Sequence, residues 1–384
     1  MRYLVLGAGQ QGRAIAFDLL RDPESEIVLV DSDPDQLEDI LSWLDDPRVD
    51  VEPIDAESHD EMRAVMEDMQ VAISALPYQY NLGLTQDAIA AGCHLVDLGG
   101  NNTVVNAQLE LDAEAKAAGI TVIPDCGLAP GLAVYLAHDA CQRLTRVENL
   151  RIRVGGLPQK PQGELEYMLT FSVQGLLNEY SEPCIAIENG EVVQHEPLTG
   201  IETINFPDPW GELEAFRSSG GLSTLPRTLQ HMVENADYKT IRFPGHGAKM
   251  RAFYDAGLFS TEPQTLEDGT EVIPRDELAK LIEKTCNYPE VDAVLVRISA
   301  QGLKNNVPVT VRTQIIDRFD KENGITAMMR MTGYPTSIVA TMLAKGQISQ
   351  HGVVPGERCI PMDLLRTELK HRDIHLEEVV RVVD

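Results

Sequence analysis

Residues 2–14 read RYLVLGAGQQGRA. A short apolar run meets Gly7-Ala8-Gly9-Gln10-Gln11-Gly12, and QGRAIAFDLL continues with helical spacing. A strand that ends in G-x-G-x-x-G and opens a helix uses each glycine for a physical reason. Gly7 permits the tight turn, Gly9 lets a pyrophosphate come close to the backbone, and Gly12 lets the helix lie against the strand. By itself the spacing is weak evidence, but its context strengthens it. The next apolar run, EIVLVD, ends at Asp31, 19 residues beyond Gly12, where an acid accepts from a ribose 2′-hydroxyl. A carboxylate there repels a 2′-phosphate, and DSDPDQ brings no arginine, so NAD is expected in preference to NADP.

The rest of the first third follows the same rhythm. Strand patterns VDVEPID from Val49, QVAISAL from Gln70, HLVDLG from His94 and TVIPD from Thr121 alternate with helix-period segments such as DPDQLEDILSWL, SHDEMRAVMED and NLGLTQDAIAAG. This predicts an α/β fold whose N-terminal part is a Rossmann, doubly wound parallel sheet. Ligands of such sheets bind outside the carboxyl ends of the strands. Asp55, Ala75-Leu76-Pro77 and Leu98-Gly99 therefore join Gly7, Gly9, Gln10, Gln11, Gly12 and Asp31 as expected cofactor contacts. Asp55 also reads as a cap for the following helix. Asp125 ends the last strand of the series on the same edge, which points it at the nicotinamide end of the cofactor.

From residue 126 the texture changes to alternating strands typical of half-buried antiparallel sheets. NLRIRVGG, CIAIENGEVVQH with its Asn-Gly turn, DAVLVRISAQG, VPVTVRTQIID and ITAMMRMTG read as strands. Helices are expected around Leu169 to Tyr180, over PRDELAKLIEK and over PTSIVATMLAKG. The expected organisation is a nucleotide-binding domain over 1–125 and an α+β domain on a mostly antiparallel sheet over 126–333. A C-terminal helical segment over 334–384 is expected to pack back on the first domain.

Composition narrows the function. Sixty acids against 32 bases give a net charge of −28, which repels nucleic acid and anionic membrane surfaces. No apolar run reaches the roughly 18 residues of a membrane span, and the chain opens directly on a strand, so a cytoplasmic location is expected. The six cysteines form no C-x-x-C pair and the histidines no ligand spacing, so neither disulfides nor a metal site is signalled.

The motifs VLGAGQQGR, SALPYQYN, HLVDLGG, PDCGLAPG, LEYMLTFSVQGLLNEY, SSGGLSTL, YKTIRFPGH and TGYPTSIVA extend over nearly the whole chain. In them the sequence resembles the saccharopine dehydrogenase-like family of amino-acid oxidoreductases, and within it the branch that oxidises lysine. Arg217, before SSGG, departs from that pattern and is not taken as the main substrate anchor. The resemblance implies NAD-dependent oxidation of the ε-amino carbon of L-lysine to allysine, which cyclises to 1-piperideine-6-carboxylate, with ammonia and NADH released. It also implies a homodimer or homotetramer built through the second domain's sheet. The competing expectations are a saccharopine- or carboxyspermidine-type dehydrogenase, whose larger anionic substrates need more basic residues, and an NAD-binding sensor without turnover.

A basic amino acid needs a cation for its carboxylate, acids for its amines and a dry slot for its stem. Arg242 is the expected carboxylate partner, with Thr240 on its face of the strand and Lys239 on the other. Glu166 and Tyr167 in GELEY, and Tyr78 beyond the fourth strand, complete the expected substrate contacts. Lys239, Asp125 and His246 are the expected catalytic residues, with Lys239 as base and His246 as the alternative.

Overall fold

A computed structural model describes residues 1–382, and the last two residues of the expected C-terminal segment lie outside the described residues. The chain divides into two compact units. The first contains Met1–Asp139, Ser223–Thr228 and Met329–His375, and the second contains Ala140–Leu222, Leu229–Met328 and the chain from Leu376.

The first unit is built on seven strands: β1 (Arg2–Leu6), β2 (Glu26–Asp31), β3 (Val49–Pro53), β4 (Val71–Ser74), β5 (His94–Asp97), β6 (Thr121–Ile123) and, from much later in the chain, β17 (Gly352–Val353). They run in the order β17-β6-β5-β4-β1-β2-β3, and every pairing is parallel. Strands covered on both faces read as unbroken apolar runs, and VAIS of β4 is buried at all four positions. Leu4, Leu6, Val28, Val30, Met62, Met66 and Leu95 form one core layer of this sheet. The strand order reverses between β1 and β4, which opens a crevice at their carboxyl ends.

The second unit carries a nine-stranded sheet. Its members are β7 (Arg146–Pro158), β8 (Cys184–Glu188), β9 (Glu191–His195), β10 (Glu202–Phe206), β11 (Gly211–Phe216), β12 (Val233–Arg242), β15 (Asp292–Lys304), β16 (Val307–Arg318) and β18 (Glu377–Val382). A separate small hairpin, β13 (Gln264–Thr265) and β14 (Glu271–Val272), stands apart. The main path is β10-β11-β12-β7-β15-β16-β18, parallel only where β12 meets β7. The two sides of β12 face different layers. Ile241 packs with Leu157, Leu213, Trp210 and Leu295, while Tyr167, Leu176, Tyr180, Phe216 and Met250 form the other layer. The expected Asn-Gly turn joins β8 to β9, with both turn residues at positive φ, 51° at Asn189 and 82° at Gly190.

Two expectations fail. ITAMMRMTG is not a strand, because Ala327–Ala344 forms one long helix that runs through Pro335. Its alternation is incidental: Ala and Met are strong helix formers, and the Asp292 carboxylate caps the helix by accepting from Ala327 N at 2.7 Å and Met328 N at 2.8 Å. The C-terminal segment is also not wholly helical, since its end forms β18 and completes the second sheet. None of the helices among the described residues is long and apolar enough to cross a membrane.

Candidate active site

The glycine loop has the geometry a dinucleotide needs. Gly7 sits at φ 102°, and a Cβ there would meet the Ala75 carbonyl oxygen at 3.0 Å. A Cβ on Gly12 would lie 1.8 Å from the Gly7 oxygen, so only glycine lets the helix Gln10–Leu19 lie so close. A Cβ on Gly9 would meet nothing within 4 Å. That open ground lies at a helix N-terminus with no side-chain cap, where free N–H groups favour a phosphate. Gln11 Oε1 beside it is buried without a hydrogen-bond partner. Asp31 accepts from Ala8 N at 2.8 Å through Oδ2 and from Asp33 N at 3.0 Å through Oδ1, and each oxygen keeps a lone pair for a ribose hydroxyl. Arg13, the arginine that follows the loop, is ion-paired with Asp39. These residues fit a pyridine nucleotide. Asp55 is exposed and closes a local turn by accepting from Glu57 N at 2.9 Å, and it does not take the expected capping role, because the helix His59–Met66 begins after Ser58.

The loops after β4, β5 and β6 meet around Asp125. A Cβ on Gly99 would fall 1.6 Å from Asp125 Oδ1, and one on Gly100 would fall 3.5 Å from the Tyr78 ring. Asp125 adopts left-handed backbone, φ 61°, and is 5% exposed. A buried non-glycine residue in that region costs about 1 kcal/mol or more and persists only where its surroundings hold it. Here the Asp125 N–H donates to Asp97 Oδ1 at 3.1 Å, and the Asp125 carbonyl accepts from Tyr135 Oη at 2.8 Å. Ser223 Oγ donates to Asp125 Oδ2, while Oδ1 is buried and meets no donor in good geometry. Burial, reinforced by the charge of Asp97, pushes the Asp125 carboxyl up to about 8. It can therefore gain and lose a proton near neutrality.

In the second unit, the strand alternation brings Arg242 to the layer of Tyr167 and Tyr180. Arg242 is 2% exposed, and among the described residues no carboxylate lies within 4 Å of it. Glu214, opposite it on β11, is already occupied by Gly245 N at 2.8 Å and Gly247 N at 2.6 Å. Arg242 Nε donates to Tyr180 Oη at 2.9 Å and Nη1 to the Ile241 carbonyl at 2.8 Å, and its guanidinium carbon stands 5.0 Å from the Tyr167 ring centroid. Its hydrogen-bond partners are neutral, and a buried guanidinium so held attracts an anion, with Glu179 the acid that feels its charge. Glu179, half-buried, ends the helix Val173–Glu179 just before Tyr180. Burial raises its carboxyl to about 7 against the opposing pull of Arg242. Thr240 shares the Arg242 face and is buried. Tyr167 is also buried, and its hydroxyl makes no well-formed hydrogen bond. Glu166 sits in a half-exposed loop at φ 48°.

Two expected catalytic residues take other roles. The His246 ring is 2% exposed and both nitrogens are engaged: Nδ1 with the Leu165 carbonyl at 2.9 Å and Nε2 with Tyr180 Oη at 3.1 Å. A carbonyl only accepts and a guanidinium only donates, so the network assigns the proton to Nδ1 and runs from Arg242 through Tyr180 to His246. Burial and the neighbouring Arg242 charge hold His246 down to about 3, which keeps it neutral and gives it the work of orienting Tyr180. Lys239 lies on the opposite face of β12. Its ammonium donates to Glu202 Oε2 at 2.7 Å and to the Gly200 carbonyl at 2.6 Å, and Glu202 also binds Arg153. Alternation along the strand separates it from the Arg242 layer, and its amine is already engaged by Glu202 and the Gly200 carbonyl.

Sequence reasoning missed Glu179, Tyr180 and Ser223. Tyr180 and Glu179 lie in LEYMLTFSVQGLLNEY, and Ser223 in SSGGLSTL, but no local pattern distinguishes them from core or loop residues.

A glycine loop closing on an acid-tipped β2, with a protonatable acid at the end of β6, defines a pyridine-nucleotide-dependent oxidoreductase. Comparison with known proteins makes the class specific. Residues 3–123 match the saccharopine dehydrogenase NADP binding domain and residues 127–374 the saccharopine dehydrogenase C-terminal domain. The chain belongs to the saccharopine dehydrogenase family. Mitochondrial alpha-aminoadipic semialdehyde synthase of Rattus norvegicus is 27% identical over 214 residues, 54% of this chain and 22% of that protein. Saccharopine dehydrogenase [NADP(+), L-glutamate-forming] of Pyricularia oryzae is 27% identical over 146 residues, 36% of this chain and 31% of that protein. The matches therefore span less than a third of either relative. Apo saccharopine dehydrogenase (L-Glu forming) from Saccharomyces cerevisiae shares the fold, with a TM-score of 0.80 at 18% identity over 99% of this chain and 100% of that one.

Proposed function

We propose that the protein is an NAD-dependent lysine ε-dehydrogenase, a cytoplasmic oligomer that converts L-lysine to allysine and ammonia. The observation that carries this reading is Arg242, a buried guanidinium with no carboxylate among the described residues within 4 Å. It suits the single carboxylate of a free amino acid. Glu179, whose carboxyl feels the Arg242 charge, suits the α-ammonium. Asp31, with no arginine in the following DSDPDQ, supports NAD rather than the NADP of the domain description.

The chemistry follows from proton bookkeeping. A lysine ε-ammonium titrates near 10.4 and has no lone pair at neutral pH, so it cannot give up hydride from its carbon until it loses a proton. Asp125 takes that proton: an N–H bond of the ammonium breaks, an O–H bond forms on the carboxylate, and the lone pair stays on nitrogen. Bound nicotinamide supplies the hydride acceptor. Hydride leaves the ε-carbon as the C=N bond forms, giving an iminium ion; water adds to it and releases one proton to solvent, and Asp125 returns its proton to the nitrogen as the C–N bond breaks and ammonia leaves the aldehyde. Arg242 pairs with the substrate carboxylate.

A second reading has support from the relatives' names: a saccharopine-forming or saccharopine-cleaving dehydrogenase. Saccharopine carries more carboxylates than lysine and demands more unpaired cations. Arg153 and Arg372, both buried, are committed to Asp237, Glu202, Asp18 and Glu368. NADH formation from lysine alone, compared with saccharopine, decides between the readings.

A further inference from the structure

The carboxylate assigned as base is not left to itself. Ser223 donates its hydroxyl to Asp125 Oδ2 from a backbone at φ 41°, so two left-handed, non-glycine residues face each other across one hydrogen bond. Such backbone persists only where the surroundings hold it, and at Ser223 the holding groups are visible. Ser223 begins the short segment Ser223–Thr228 that belongs to the nucleotide-binding unit although the chain on both sides belongs to the other. Three further residues fasten that segment. Thr224 Oγ1 donates to the Glu357 carboxylate at 2.9 Å, Thr228 Oγ1 donates to the same carboxylate at 2.6 Å, and Arg227 reaches Asn106 Oδ1 at 3.2 Å.

The other charged groups around Asp125 oppose its ionisation. Asp97 and Glu357 are both acids, and burial acts in the same direction. The Ser223 hydroxyl, with the backbone at Gly100, acts the other way, because a donor to the carboxylate favours its charged form. It also breaks the symmetry of the carboxyl, since Oδ2 is occupied and Oδ1 meets no donor in good geometry.

We propose that Ser223 is a positioning residue whose hydroxyl occupies one oxygen of Asp125 and leaves the other, Oδ1, as the atom that takes the substrate's proton. The proposal rests on the reading of Asp125 as the base. Its consequence is that the serine, which touches no reacting atom, sets the pH at which the base becomes available. Losing the hydroxyl removes a hydrogen bond that is stronger to the charged carboxylate than to the neutral acid.

The test uses Ser223→Ala and Ser223→Gly in the full chain. Glycine relaxes the left-handed backbone that alanine leaves strained, so a pH effect shared by both variants arises from the hydroxyl and not from a misplaced strap. The first readout is the carboxyl ¹³C resonance of Asp125, assigned by its absence in Asp125→Asn and titrated in the protein without substrate. The second is the pH profile of kcat/KM for lysine. The expected result is a midpoint raised by roughly one pH unit in both variants, with the acid limb of the profile moving by the same amount and the alkaline plateau retained. A midpoint that stays in place, or a rate lowered by one factor at every pH, overturns the proposal. An Asp125→Asn variant that still oxidises lysine with an unchanged acid limb removes Asp125 from the chemistry, which is failure of the underlying reading and is distinguishable from an unmoved midpoint.

Discussion

Replacing Arg242 by Met removes the charge that the proposed substrate carboxylate needs while keeping much of the side-chain volume. The loss to the resting protein is small. The variant gives up the hydrogen bonds to Tyr180 and the Ile241 carbonyl and the ring contacts with Tyr167 and Tyr180, but it no longer buries a guanidinium lacking a carboxylate. Exchanging a buried charge for a well-packed apolar group is often neutral, so thermal unfolding should shift by only a few degrees. The loss to the substrate is larger, because its carboxylate would be left desolvated and unpaired. Removing one partner of a buried ion pair costs about 3–5 kcal/mol, which is roughly 10²- to 10³-fold in kcat/KM at the conservative end. The informative assay compares lysine with cadaverine, which has the same amine and stem but no carboxylate. Wild type should prefer lysine strongly, and Arg242→Met should lose that preference mainly by losing lysine. If the variant slows both amines by the same factor, or neither, Arg242 does not read the carboxylate.

Asp31→Ser should narrow the preference for NAD over NADP by removing the charge that repels a 2′-phosphate, and equal use of both cofactors by wild type would refute the assignment of Asp31. Asp125→Asn should lower lysine turnover at least 10²-fold while leaving NADH binding, followed by fluorescence, within a few-fold of wild type. The same variant tests the raised Asp125 carboxyl through stability. Between about pH 4 and pH 8 the folded chain holds a proton there that the unfolded chain has lost, so stability falls as pH rises, by about 1.4 kcal/mol per unit. Denaturant titrations across that window should show a flatter slope for Asp125→Asn than for wild type, and parallel slopes would place the carboxyl's titration elsewhere. Lys239→Met should keep turnover within about threefold and lower stability by about 1–3 kcal/mol through loss of the Glu202 pair, whereas a large loss of turnover without unfolding would restore Lys239 to the chemistry.

What the sequence discloses follows from the range of the interaction. The glycine loop, Asp31 and the carboxyl-end position of Asp125 are local facts about strand and turn, and they read correctly as a parallel sheet. Alternation along YKTIRF also separates Arg242 from Lys239, but it does not say which face carries the chemistry. It also leaves out the Glu202 pair that engages Lys239, a contact that spans 37 residues of chain. The Ser223 contact to Asp125 spans 98 residues and has no local signature. His246 looked catalytic because it follows Pro-Gly at a helix start, and only the packing of Tyr180 and Leu165 shows that its lone pair is already used. The failed strand at ITAMMRMTG has the same origin, since the helix there is capped by Asp292, 35 residues away from Ala327.

The most direct test of the account is a product analysis with purified protein, L-lysine and NAD, and no other carbonyl or amino acid. The account predicts NADH and ammonia formed in equal amounts, with the label of ε-¹⁵N-lysine appearing in the ammonia. NADH formed only with saccharopine, with glutamate released and lysine inert, would contradict it.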